Sequence, residues 1–146
     1  IKKFNHKFLI INIKEEGLEK YIRKILKKKN IKEFFFLDQS FPFLVKTINS
    51  KEKRCAVRFS EYEDIKTAYN LKNKIKWVWV DYFNKFSLNK SISNTLRKKK
   101  INICVVSPEL VKKNSLQSIK KLKNLIQKKK IHIDAVCTKK PEIWDK

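Results

Sequence analysis

Ile75–Phe83 reads IKWVWVDYF. Trp77, Val78, Trp79 and Val80 form an unbroken apolar run that closes on Asp81. A short run rich in aromatic and β-branched side chains predicts a strand covered on both faces. The carboxylate falls where that strand should end. Similar pieces flank it: an apolar run, a polar residue at its carboxyl end, then a lysine-rich amphipathic segment. The repetition predicts βαβ units, a parallel sheet, and chemistry at the carboxyl edge of the strands.

Working outward, Phe8–Lys14, Glu33–Asp38, Arg54–Ser60, Trp77–Asp81, Ile101–Val106 and Ile131–Cys137 read as six strands. Helices are expected over 18–29, 41–49, 63–73, 89–100 and 115–129, from apolar positions at helical spacing such as Leu116, Ile119, Leu122 and Ile126. Ser40 has the chemistry of an N-cap, with Pro42 near the first helical position. Ile143 and Trp144 read as a packing tail. No linker divides the 146 residues, which form one domain of strictly alternating strands and helices.

Composition narrows the function classes. No apolar run reaches the ~18 residues of a membrane span, and no signal-peptide pattern is visible, so a cytoplasmic location is expected. The chain starts at Ile1 and contains no Met, which reads as a fragment or a trimmed chain. Its formal net charge of +23 suggests nucleic acid. However, the cations are nearly all Lys, with Arg only at 23, 54, 58 and 97, and they fall on the polar faces of the helices. Abundant Lys, Asn and Ile with a single glycine is how an AT-rich coding sequence looks. Nucleic-acid binding is therefore not expected as the main function, although polyanions would be attracted weakly at low salt. Cys55, Cys104 and Cys137 lack ligand spacing and read as buried reduced thiols. His6 reads as exposed and His132 as structural.

Polar groups at the carboxyl ends of parallel strands are the candidate site. Lys14 and Arg58 suit a phosphate, Arg58 through its planar fork. Asp81 and Glu109 could pair with those bases, hold a cation or orient water. A strand end is also where any chain turns polar, and Asp38 reads better as a helix cap. Glycine-rich phosphate loops and the common metalloprotease and esterase motifs are absent, so any phosphate must be held by side chains.

The closing stretch IDAVCTKKPEIW resembles the last strand of glycerophosphodiester phosphodiesterases, Gly-Val-Asp-Gly-Ile-Ile-Thr-Asp-x-Pro. Asp134, Thr138 and Pro141 match at the same spacing, and Lys139 stands where Asp is usual. LIINIK resembles the family's strand bearing Asn-Ile-Glu-x-Lys, with Lys14 on its lysine and Asn12 on its Glu or its Asn. NHKFLIINIKEEG, FFFLDQSFPFL, AVRFSEYE, WVWVDYF, VSPEL and DAVCTKKPE extend the resemblance from about His6 to Trp144, to a divergent bacterial branch of these phospholipase-C-like enzymes.

The resemblance implies an eight-stranded TIM-type (βα)8 barrel, of which this chain carries the third to eighth strands. It implies a metal-dependent phosphoric diester hydrolase acting on a small phosphodiester. Lys14, Arg58, Asp81 and Glu109 would bind substrate, and a divalent cation, Ca or Mg, would have Asn12 as a candidate ligand. The family's His-Arg, Glu-x-Asp and His-Asp motifs have no counterpart here, so catalytic residues are expected upstream of Ile1 and this chain alone should be inactive. The first and sixth strands should then have unpaired edges. Two alternatives stand beside this: a non-enzymatic basic α/β module binding RNA or another polyanion, and a small doubly wound domain, whose strand order would reverse once.

Overall fold

The structure, a computed structural model, describes residues 8–111 and 116–145. Six strands alternate with helices: β1 (Leu9–Asn12), α1 (Glu19–Lys28), β2 (Phe34–Leu37), α2 (Phe41–Asn49), β3 (Ala56–Phe59), α3 (Lys66–Asn70), β4 (Trp77–Val80), α4 (Lys90–Lys98), β5 (Asn102–Val106), α5 (Leu116–Lys128), β6 (Ala135–Cys137) and the short α6 (Pro141–Trp144). His6 lies outside the described residues.

Every strand pairing is parallel. β1 pairs with β2, and β3 to β6 pair in chain order. Among the described residues one bridge, between Phe36 and Cys55, joins the two groups, with Phe36 N–H donating to the Arg54 carbonyl at 2.8 Å. The order shows no reversal, which sets the fold apart from a doubly wound sheet. Among the described residues, β1 has no partner beyond β2, and β6 none beyond β5.

The two sheet faces are covered differently. Phe34, Phe36, Val57, Phe59, Val78, Val80, Ile103 and Val105 pack with the buried residues of the helices, including Leu26, Leu44, Ala68, Leu96 and Leu122. The opposite face carries Phe35, Leu37, Ala56, Trp77, Trp79, Cys104 and Val106, joined by Phe8, Ile10, Ala135 and Cys137. No buried helix residue belongs to that second cluster, yet its seven central members are all buried. They cover one another: the Phe35 and Trp77 rings lie 5.0 Å apart, and Phe8 closes on Trp77 at 5.1 Å. The sheet therefore curves over its own inner face. Large aromatics fill the concavity, each contributing roughly 2–3 kcal/mol by burial.

Helix ends follow one device. Asn30, Lys51, Asn73, Lys100 and Lys130 have φ between 51° and 66°, the left-handed region that glycine normally serves. After α1, α4 and α5 an isoleucine follows: Ile31, Ile101 and Ile131 donate backwards to Leu26, Leu96 and Ile126, closing the turn and feeding the chain toward the next strand.

Most elements are shorter than the sequence predicts, and α3, β6 and β1 show why. α3 covers only Lys66–Asn70, because Ser60 Oγ takes Tyr62 N–H and Asp64 takes Lys66 N–H, committing residues 60–64 to a turn. β6 starts at Ala135, because Ile131 N–H returns to α5, while Asp134 N–H and Asp134 Oδ2 pair with the Ile103 carbonyl and N–H. β1 ends at Asn12, although Ile13 N–H still reaches the Leu37 carbonyl.

Candidate functional site

Successive strand ends converge at the carboxyl edge around Arg58. By the two-residue period, Arg58 lies on the inner face with Ala56, and Asp81 on that face with Trp77 and Trp79. The Arg58 guanidinium binds Asp38 Oδ1 through Nε at 2.7 Å and Nη2 at 2.6 Å, and it binds Asp81 Oδ2 through Nη1. Trp79 Nε1–H donates to the other Asp81 oxygen at 2.9 Å. Lys14 Nζ stands 3.5 Å from Asp38 Oδ2, with its side chain 78% exposed. Four strand ends thus share one charged array.

Burial divides these groups. The Asp81 side chain is 7% exposed and that of Arg58 is 33% exposed. Burial pushes the Asp81 carboxyl above its usual value, with the Arg58 cation pulling the other way. Burial also opposes the Arg58 charge, but the Asp81 and Asp38 carboxylates outweigh it and hold the guanidinium ionised. Only some of the five guanidinium N–H bonds face the carboxylates. Nε, Nη1 and Nη2 each meet a carboxylate, and among the described residues the other guanidinium N–H bonds and the exposed Lys14 ammonium have no further acceptor.

Asp38 is not the helix cap expected of it. Its backbone is left-handed at φ 61°, and its side chain serves Arg58 and Lys14. Ser40 occupies the N-cap position of α2 without making a capping hydrogen bond. Beside the array, between the diverging ends of β2 and β3, opens a cleft of about 540 Å³ lined by Asp38, Ser40, Phe41, Arg58 and Thr67 among others. Its size suits a small molecule. Gln39 Oε1 and Ser40 Oγ, from two of its lining residues, are buried without a hydrogen-bond partner among the described residues.

Glu109 belongs to a separate cluster. Its carboxylate accepts from Ser107 Oγ, Thr138 Oγ1 and, at 3.0 Å, Lys139 N–H. Trp144 Nε1–H reaches Ser107 Oγ at 3.1 Å, so the tail packs against the end of β5. Desolvation opposes ionisation of Glu109, but the Ser107 and Thr138 hydroxyls hold its carboxyl below the usual value. These neutral donors tie the ends of β5 and β6 together. Asn12 is exposed on β1. His132 sits before β6, at the opposite edge, and pairs with Asp134 at 3.0 Å.

Asp38 and Asp81 do not fit a divalent cation, since both are committed to Arg58, whose charge would repel one. Among the described residues, no group of three His, Cys, Asp or Glu side chains is placed to hold a metal.

The sequence reading missed Glu52. Its side chain is 4% exposed at the amino edge, held by Arg54 at 2.7 Å and Arg23 at 3.2 Å. A lone acid among Lys51, Lys53 and Arg54 reads as solvated, and only the fold reveals its burial. The thiols of Cys55 and Cys104 are buried, and burial raises the Cys55 thiol to about 12.

No family model, curated protein or solved structure matches this chain. No helix among the described residues is long and apolar enough to cross a membrane.

Proposed function

We propose that this chain is the phosphodiester-recognising part of a βα-barrel hydrolase, contributing six successive βα units. The observation that carries the reading is the Arg58 array, in which a partly exposed guanidinium and a freely exposed lysine meet at the carboxyl edge of a parallel sheet. Sequential strand order, helices on one face and a self-covering inner face support a barrel-type architecture. The resemblance of the strand-end blocks to glycerophosphodiester phosphodiesterases supports the choice of substrate.

On this reading, Lys14 swings from Asp38 onto one phosphoryl oxygen, and the outward N–H bonds of Arg58 take another. Asp38 and Asp81 fix the guanidinium plane, so that little reorganisation is needed on binding. Their charges cancel those of Lys14 and Arg58, which keeps resting affinity modest, while the surrounding positive field draws anions in. A divalent cation would polarise the phosphate in the complete enzyme, its ligands lying elsewhere than Asp38 and Asp81. The catalytic histidines that the resemblance implies have no counterpart among the residues of this chain.

Titration with dimethyl phosphate, the simplest phosphodiester anion, tests the reading through amide chemical shifts. Binding should perturb residues 14, 38, 58 and 81, and Arg58→Gln should weaken it at least about tenfold, the loss expected for a charge-assisted hydrogen-bond pair. Shifts scattered over the helix lysines, unchanged in Arg58→Gln and steeply salt-dependent with RNA, would instead support a polyanion-binding module.

A further inference from the structure

Next to the Arg58 array, the loops after β3 and β4 carry two exposed rings. Tyr62 is 72% exposed and Phe83 39%. Their centroids lie 5.9 Å apart with planes inclined at 44°. Two large aromatics left in water side by side need a reason, since each would gain by burial. They are also held in place. The Glu61 carboxylate accepts from the backbone N–H groups of Phe83 at 3.2 Å, Lys85 at 3.1 Å and Asn84. Asn84 Nδ2 donates to the Tyr62 hydroxyl at 3.1 Å. Desolvation works against its charge, yet those N–H groups pull the Glu61 carboxyl down to about 2. The clamp is therefore charged at any physiological pH and joins the two loops into one platform.

The platform is near the array. Phe83 follows Asp81 by two residues, at most ~7 Å along an extended chain, and Asp81 binds Arg58 directly. We infer that Tyr62 and Phe83 form a stacking platform for a planar ring carried by the phosphodiester, so that the preferred substrate is a ring-bearing ester rather than a simple alkyl one. The inference rests on the phosphodiester reading above. Charge complementarity selects the occupant: an anionic group meets Lys14 and Arg58, and a flat, polarisable face meets the rings. Stacking a planar ring on an aromatic side chain is worth roughly 1–3 kcal/mol, or about five- to 150-fold in affinity.

The test compares bis(4-nitrophenyl) phosphate with dimethyl phosphate on the full chain, by titration followed through amide shifts. The aryl ester should bind about tenfold more tightly or better. Tyr62→Ala and Phe83→Ala should each shrink that ratio toward one and leave dimethyl phosphate affinity unchanged, whereas Tyr62→Phe should preserve it. Both side chains are solvent-facing, so these variants should keep the wild-type fold, and the unchanged dimethyl phosphate affinity confirms it. Equal affinity for the two esters, or a ratio that survives both alanine variants, overturns the platform and leaves the phosphate site standing. Failure of both esters to bind overturns the platform and the phosphate site together.

Discussion

The two edges of the sheet carry mirror-image ion clusters. At the amino edge one carboxylate, Glu52, lies between two arginines, Arg23 and Arg54. At the carboxyl edge one arginine, Arg58, lies between two carboxylates, Asp38 and Asp81, with Lys14 alongside. The balance of forces differs. Burial opposes ionisation of Glu52, but hydrogen bonds from Arg54 and the charge of Arg23 outweigh it and hold its carboxyl below the usual 4.5. At Asp81 burial wins and the carboxyl is pushed above 3.8. The first cluster is therefore a net stabiliser, and the second keeps a carboxylate charged at some cost. A costly charge at the carboxyl edge, where the opposite edge does the fastening, supports the proposal that this edge binds a ligand.

Substitutions at the two acids give the largest contrast. Glu52→Gln should destabilise by about 2 kcal/mol in urea unfolding. That is below the usual cost of breaking a buried pair, because the arginines left behind are partly exposed and can hydrate. Asp81→Asn should cost about 1 kcal/mol: the amide oxygen still accepts from Trp79 and the charge removed was poorly solvated, while the NH2 group now faces the partly exposed Arg58 N–H, which can turn to water.

Acid should separate the same two groups. With its folded-state value depressed, Glu52 contributes stability that is fully present above about 4.5 and is lost as pH falls through its lower folded-state value. Asp81 has the opposite sign: its raised value lets the folded state take up a proton first, so its protonation favours the fold as pH falls toward 3.8. Glu52→Gln should accordingly flatten the acid limb of a stability profile, while Asp81→Asn should steepen it, because the offsetting uptake is gone.

The smallest effects belong to the helix ends. Lys51, Lys100 and Lys130 hold left-handed backbone on the way back to the amino edge. Lysine→glycine changes there should each raise stability by roughly 0.5–1 kcal/mol and leave ligand binding untouched. Asp38→Gly would relieve the same backbone geometry, yet it should loosen Arg58, leaving Asp81 as its one carboxylate partner among the described residues. Differential scanning calorimetry with parallel ligand titration separates the two outcomes.

Legibility in the sequence tracks burial. β2 and β4 are buried throughout and read directly from FFFL and WVWV. The ends of β1 and β6 did not, because side chains such as Asp134, rather than hydrophobic pattern, decide where pairing starts. Lys14, Arg58 and Asp81 were legible as polar residues closing apolar runs, and the fold brings them together. Asp38 was misread because a left-handed φ leaves no mark in composition. Its one sequence signal was redundancy, as Ser40 already offered a cap two residues on. Glu109 was legible as a strand-end acid, while its saturation by Ser107 and Thr138 depends on a residue far along the chain.

The most direct measurement sets dimethyl phosphate affinity side by side in the wild-type chain, Asp81→Asn and Glu52→Gln. Asp81→Asn should bind about three- to tenfold more tightly, as expected for removing one negative charge ~6 Å from the anion at an effective dielectric of roughly 40–80. Folded Glu52→Gln should match wild type. Equal affinity in all three chains, or tighter binding in Glu52→Gln alone, would contradict the assignment of recognition to the carboxyl edge.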